Sequence, residues 1–209
     1  MKIGVTGSLG GIGKAFCKLL DERGIDYCEL TEDISTAVGQ ERIIEQLEDE
    51  DCDMFFNNAN DHSGAYQSQI QLLYKAWDIF KFKKSKIICT SSLSPDVEKL
   101  QDEIPPMDKG TGTLGYDTYK HGLDYACKQL NTFSYMSLDY KCKVINIRPG
   151  LVDTDSTSDE NYKFYPLPKR PHAHKMDPNY LAGVILWTIE QPEHIMSITI
   201  ADDQLANSQ

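Results

Sequence analysis

The run Thr6-Gly7-Ser8-Leu9-Gly10-Gly11-Ile12-Gly13 constrains this chain more than any other feature, because of what flanks it. An apolar strand pattern, Lys2–Thr6, precedes it, and an amphipathic helix pattern runs on from Ile12 to Arg23. A strand that turns through glycines into a helix belongs to βαβ construction and a parallel sheet. Glycines permit positive φ and let the backbone approach a pyrophosphate closely. The helix start offers unpaired N–H groups and a partial positive charge to the anion. A purely structural strand–helix turn would use the same residues, so the pattern takes its meaning from the rest of the chain.

The same alternation continues to the far end. Gly24 ends the first helix, and Asp26–Leu30 reads as a second strand. A helix over 36–48 carries Ile43, Ile44 and Leu47 as its core stripe, and 53–56 is a short buried strand ending in Asn57-Asn58-Ala59-Asn60. A helix over 70–82, a strand at 86–90, a long helix over 116–140 and a strand at 143–147 come next. A helix over 178–190 and a strand at 196–200 close the chain. This order predicts an α/β, Rossmann-like doubly wound parallel sheet with helices on both faces. Only one helix joins the second strand to the third, so about six strands are expected rather than seven, with Asp33-Ile34-Ser35 as a vestige of the missing one. No repeat or linker interrupts the pattern, and residues 1–209 read as a single domain. Residues 94–115 form a Pro/Gly-rich loop, and the polar stretch 153–176 carries no periodicity and reads as a substrate-covering flap.

Charge excludes two classes of partner. A formal net charge of -11 argues against nucleic acid, which calls for a basic stripe, and against an anionic membrane surface. The 6 cysteines contain no Cys-x-x-Cys pair and read as buried reduced thiols. The 5 histidines form no ligand set with neighbouring carboxylates, so no metal is expected. No run reaches the ~18 apolar residues of a membrane span, and the first strand leaves no room for a signal peptide. A cytoplasmic location is expected.

The chemistry-bearing residues are Ser92, Tyr116 and Lys120. Four apart on a helix, Tyr116 and Lys120 project from one face with Cβ atoms roughly 5–6 Å apart. An ammonium so placed lowers the pKa of a phenol, ordinarily about 10, toward the working pH. Ser92, just past a buried strand, can hold the oxygen that exchanges the proton. Tyr-x-x-x-Lys alone would be weak in a chain with 11 tyrosines; its place on a helix downstream of Ser92 gives it weight. Thr90 and Ser91 read as structural.

With glycines, serine, tyrosine and lysine in this order, the chain resembles the short-chain dehydrogenase/reductase family from residue 2 to about residue 200. Thr6-Gly7-x-x-x-Gly11-x-Gly13 is similar to that family's cofactor turn, and Asn57-Asn58-Ala59-Asn60 to its Asn-Asn-Ala-Gly element. Tyr116-x-x-x-Lys120 matches its catalytic pair, and Pro149-Gly150-Leu151-Val152-Asp153-Thr154 its nicotinamide-end segment. The resemblance implies NAD or NADP, held by Gly7, Ser8, Leu9, Gly11, Ile12, Gly13, Asp33, Ile34, Asn58, Ala59, Asn60, Tyr116, Lys120, Pro149, Gly150, Val152 and Thr154. It also implies hydride transfer between nicotinamide and a small carbonyl or alcohol substrate. Tyr116 would be the general acid, Lys120 would lower its pKa and bind the ribose, and Ser92 would orient the carbonyl. In the family, the helices equivalent to 70–82 and 116–140 pair across a two-fold axis, which implies a homodimer or homotetramer.

Three departures stand out. Asn60 replaces a glycine, and asparagine tolerates left-handed backbone. The helix after it lacks the asparagine that many members use to extend a proton relay; Gln69 or Gln71 substitutes for it, or each is an exposed helix glutamine. Tyr119 precedes Lys120 where small residues are common. For the cofactor, Glu32 and Asp33 after the second strand favour NAD, whereas Lys14 either reaches a 2′-phosphate or is a solvated helix lysine.

In the flap, Phe164, Tyr165, Pro166 and Leu167 can wall an apolar substrate. The basic cluster 169–175 either meets a substrate anion or is a solvated loop face. Two alternatives accompany the oxidoreductase reading: a non-catalytic dinucleotide-binding sensor or scaffold, and a nucleotide-sugar modifying enzyme with a shortened cap.

Overall fold

The computed structural model describes residues 1–60, 67–93, 112–157 and 175–201. Its strands are β1 (Lys2–Thr6), β2 (Asp26–Leu30), β3 (Met54–Asn57), β4 (Lys86–Thr90), β5 (Lys143–Pro149) and β6 (Ser197–Ile200). They hydrogen-bond in the order β2-β1-β3-β4-β5-β6, every neighbouring pair parallel. Six strands are what the single helix between β2 and β3 requires. The residues expected as a vestige, Asp33-Ile34-Ser35, form a turn in which Asp33 Oδ1 accepts the Ser35 N–H at 2.8 Å.

The helices are α1 (Gly11–Arg23), α2 (Ala37–Asp49), α3 (Ser68–Phe80), α4 (Gly112–Met136) and α5 (Pro178–Glu190). Side chains alternate across each strand, and the two faces bury separate cores. Phe55, Ile87, Cys89 and Val144 pack under α2, α3 and α4 with Leu47, Leu72, Leu73 and Leu123. Ile3, Val5, Phe56, Ile88 and Ile145 pack under α1 and α5 with Phe16, Leu20, Leu181 and Ile185. Phe16 meets Phe56 edge-on, ring centroids 5.0 Å apart, a geometry that adds to simple burial. All 6 cysteines are free and buried.

Local chemistry sets the helix ends. Gly24 adopts φ 62° and returns its N–H to Asp21 and Leu20 carbonyls, stopping α1. Thr36 Oγ1 accepts the Gly39 N–H at 3.0 Å and starts α2. Asp177 caps α5 through the Asn179 N–H at 2.8 Å, with Pro178 in the first turn.

Two helices depart from their sequence bounds by more than one residue. α3 begins at Ser68, two residues before the apolar pattern, because Ser68 and Gln69 are buried polar residues inside it. α4 starts at Gly112, inside the expected 94–115 loop and four residues before Tyr116, and stops at Met136 rather than Tyr140; Tyr140 instead leaves the helix and packs beside Trp77 and Phe82, centroids 6.0 and 5.6 Å away.

Chain direction fixes where a site can lie. After β1 the chain moves outward to β2, and β3 then returns to the other side of β1. Ligands of open α/β sheets bind outside the carboxyl ends of the strands at such a reversal. The glycine turn after β1 and Asn57–Asn60 after β3 flank it.

Candidate active site

Three strand tips are tied together by side chains. Thr6 Oγ1 donates to Phe56 O at 3.2 Å and accepts the N–H groups of Asn58 and Ala59 at 3.0 and 3.1 Å. Asn58 Nδ2 reaches back to Thr6 O at 3.3 Å, and Thr90 Oγ1 donates to Asn58 Oδ1 at 3.1 Å. One threonine hydroxyl thus fixes the Asn57–Asn60 backbone against β1, and a second fixes it against β4.

The glycine turn adjoins this staple. Gly7 and Gly11 have φ of 67° and 48°, a region costly for other residues. A Cβ on Gly13 would sit 2.1 Å from Gly7 O, so only glycine lets α1 start so close to the turn. A Cβ on Gly11 would lie 3.2 Å from Thr154 Cγ2, so the segment after β5 lies against the turn. No side chain caps the start of α1 at Gly10. Ser8 Oγ is buried and, among the described residues, has no hydrogen-bond partner. Uncapped amides, an orphan hydroxyl and a glycine cradle form a donor set that fits a pyrophosphate.

Elsewhere the sequence candidates are more scattered. Leu9 is exposed and Ile12 half-buried. Ile34 is buried in the core with Leu30 and Ile43. Asp33 is exposed, and exposed Glu32 stands 3.5 Å from Arg42. Lys14 is exposed on α1.

Beyond β4, Ser91 N donates to Ile147 O at 2.7 Å and Leu93 N to Pro149 O at 2.8 Å. Ser92 is therefore held between two bonded residues in an extension of the β4–β5 ladder. Gly150 N donates to Ile200 O at 2.8 Å. Val152 and Met176 form a parallel bridge, with Asp153 N donating to Met176 O and Met176 N to Leu151 O. This clasp joins the two ends of the 153–176 flap. Residues 158–174, with Phe164 to Leu167 and most of the basic cluster, lie outside the described residues, as does 94–111. Lys175 is described and faces Asp153 at 3.7 Å.

The centre of the site is a polar knot beneath α3 and α4. Lys120, 3% exposed, donates from Nζ to Thr90 O at 2.9 Å and to Gln69 Oε1 at 3.1 Å. Its Nζ lies 5.6 Å from the centroid of the half-buried Tyr116 ring and 5.0 Å from that of Tyr119. Tyr119 OH donates to the same Gln69 oxygen at 2.6 Å. Gln69 Nε2 donates to Asn57 O at 2.6 Å, and Asn57 Nδ2 to Gln69 O at 2.9 Å. Burial pulls the Lys120 ammonium down to about 8, opposed by the nearby Cys89, Asp124 and Cys127.

Gln69 corrects the exposed-glutamine reading: it is fully buried. The signal was present in the sequence, since Gln69 falls on the stripe Leu72, Leu73, Ala76 and Phe80. Thr6 was missed as a staple, and no spacing rule would have found it. Among the described residues, no three His, Cys, Asp or Glu side chains gather as a metal site, and no helix is long and apolar enough to cross a membrane.

No family model matches this sequence, and no curated protein sequence does either. Solved structures do. The 3-alpha-hydroxysteroid dehydrogenase of Pseudomonas sp. B-0831, complexed with NADH, superposes with a TM-score of 0.75 at 16% identity, covering 100% of this chain and 99% of that one. A short-chain dehydrogenase/reductase of Caenorhabditis elegans with cofactor gives 0.70 at 18%, covering 98% and 94%. L-sorbose reductase of Gluconobacter frateurii, complexed with NADPH and L-sorbose, gives 0.68 at 19%, covering 97% and 95%. The chain has the fold of the short-chain dehydrogenases/reductases along its whole length.

Proposed function

We propose that this chain is an NAD(P)-dependent oxidoreductase acting on a carbonyl or alcohol of a small molecule, with Ser92, Tyr116 and Lys120 at the reacting oxygen. The observation that carries the reading is the Lys120 ammonium, buried beside the Tyr116 ring at the carboxyl end of the sheet. Two of its three donors meet fixed acceptors, and among the described residues the third has none. That donor suits a ribose hydroxyl.

When bound at the glycine turn, the nicotinamide supplies or takes the hydride. The chain's own residues handle the oxygen. Tyr116 gives its proton to a carbonyl oxygen as charge develops there, and takes one from an alcohol in the reverse direction. Lys120 favours the phenolate side of that exchange by its charge, and the Ser92 hydroxyl donates a hydrogen bond to the same oxygen. Solved proteins of this fold that carry NADH or NADPH support a nicotinamide cofactor. The acids Glu32 and Asp33 after β2 favour NAD, since Arg42, a nearby cation, is already paired with Glu32.

Turnover measured with NADH and NADPH across a carbonyl panel tests the reading. Tyr116→Phe should lower turnover by about 10²-fold or more while dinucleotide binding, followed by fluorescence, persists. Near-parental turnover in that variant would remove Tyr116 from the mechanism.

A homodimer or homotetramer paired through α3 and α4 is part of the same reading. Tyr74 on α3 and Phe133 and Met136, one turn apart on α4, are exposed, apolar surface that a lone subunit leaves in water. A monomer by light scattering would contradict it. The working location is the cytoplasm.

A further inference from the structure

Lys120 is held almost out of water by an amide, where a buried cation would ordinarily attract a carboxylate. The amide cannot turn. Gln69 Nε2 is committed to Asn57 O at 2.6 Å and Thr90 O at 3.3 Å, both acceptors. Only the carbonyl end can face the donors Tyr119 OH and Lys120 Nζ. Tyr119 is itself buried, 6% exposed, so its hydroxyl is fixed by packing as well as by the 2.6 Å hydrogen bond.

The acid that acts on it most directly is kept occupied. Asp124, four residues beyond Lys120, accepts Asn146 Nδ2 at 2.8 Å on one oxygen and faces Arg148 Nε at 3.1 Å with the other. The titratable groups around the ammonium are Tyr116, Tyr119, Asp124 and Cys127 of α4 and Cys89 of β4. From α3 the group that meets it is the neutral Gln69 amide.

A carboxylate at position 69 would hold Lys120 tightly but form a neutral pair, and the field reaching Tyr116 would fall. An apolar residue would leave a buried ammonium with one acceptor, and it would shed its proton. We propose that Gln69, oriented by Tyr119, is a positioning residue: a neutral clamp that fixes the Lys120 ammonium beside Tyr116 without cancelling its charge, while Arg148 neutralises Asp124. The inference rests on the reading of Tyr116 and Lys120 as the reacting pair, and it assigns Tyr119 and Gln69 a role in tuning that pair.

The test reads Tyr116 directly. The full chain is labelled with tyrosine carrying 13C at Cζ, and the Tyr116 resonance is assigned by its loss in Tyr116→Phe. Its ionisation midpoint is then tracked against pH. Gln69→Glu, close in size, raises that midpoint by about one unit or more. It also lowers kcat at neutral pH about tenfold or more, with a smaller change in KM for cofactor. Gln69→Leu shifts the midpoint the same way. Tyr119→Phe keeps the ring and shifts it less, because Asn57 and Thr90 still orient the amide. Folding of each variant is checked by circular dichroism. An unmoved midpoint in folded Gln69→Glu and Gln69→Leu overturns the clamp; should neither fold, an unmoved midpoint in Tyr119→Phe overturns it. The midpoint is independent of turnover. A parent chain that neither binds dinucleotide nor turns over, yet shows the shift, defeats the proposed function and leaves the clamp standing. An active parent with no shift does the reverse.

Discussion

Strand β4 has a lysine ammonium at each end, and the two are employed differently. At the amino end, Lys86 Nζ donates to the carbonyls of Thr188, Ile189 and Gln191 at 3.3, 2.7 and 2.7 Å. These belong to the end of α5, where carbonyls lack helical partners and the dipole favours a cation. At the carboxyl end, Lys120 meets one backbone carbonyl and one amide oxygen beside the Tyr116 ring. Burial lowers the pKa of both. An ammonium whose three donors all meet backbone carbonyls holds a helix end in place. One with two fixed acceptors and, among the described residues, a third donor left over beside a phenol is the one we propose takes part in the chemistry. The residue type is the same; the acceptor inventory tells them apart.

The contrast is tested hardest by Lys120→Met. Turnover should fall by roughly 10²–10⁴-fold, while the fold survives. Gln69 Oε1 keeps Tyr119 OH and Thr90 O keeps Gln69 Nε2, so neither acceptor is orphaned. Residual turnover near the parent's would contradict the assignment.

The same variant separates the two lysines through pH. Burial brings the Lys120 ammonium down to about 8 in the fold against 10.5 ordinarily, so the unfolded chain binds more protons between those values and stability rises with pH there. The cost of burying the charge is full below about 8 and is relieved as pH climbs toward 10.5. It amounts to about 3 kcal/mol at most. The melting temperature of the parent should therefore rise relative to that of Lys120→Met as pH goes from 8 to 10.5; a parent that loses ground to the variant over that range would refute the buried charge.

Lys86→Met should do the opposite of Lys120→Met at neutral pH. Three carbonyls at the end of α5 lose a donor, costing about 1–3 kcal/mol and lowering Tm by several degrees. Turnover per folded molecule should be unchanged. Lost turnover with unchanged Tm would reverse the assignment of the two lysines.

Much of the fold was legible because its signals are local. β1, β2, β4 and α5 fall on their sequence bounds, since glycine and proline stops and apolar runs mark them. The six-strand count came from the short span between Leu30 and Asp53. The end of α4 was not legible: Tyr140 continues the apolar series but packs on Trp77 and Phe82 from outside the helix, a contact set by tertiary structure. The geometry of the candidate site was legible where a motif is contiguous, as in the glycine turn and the placing of Lys120 beside the Tyr116 ring. The Gln69–Tyr119 bond spans 50 residues, and a glutamine is ordinarily exposed. Only its position on the Leu72–Phe80 stripe hinted otherwise.

The decisive measurement is a crystal structure of the chain with a bound reduced nicotinamide dinucleotide. The pyrophosphate is expected at the Gly7–Gly13 turn and the third N–H of Lys120 on a ribose hydroxyl, with the lysine's bonds to Gln69 and Thr90 kept. A dinucleotide bound elsewhere, or a Lys120 ammonium that makes no contact with it, would contradict the assignment of both the turn and the lysine.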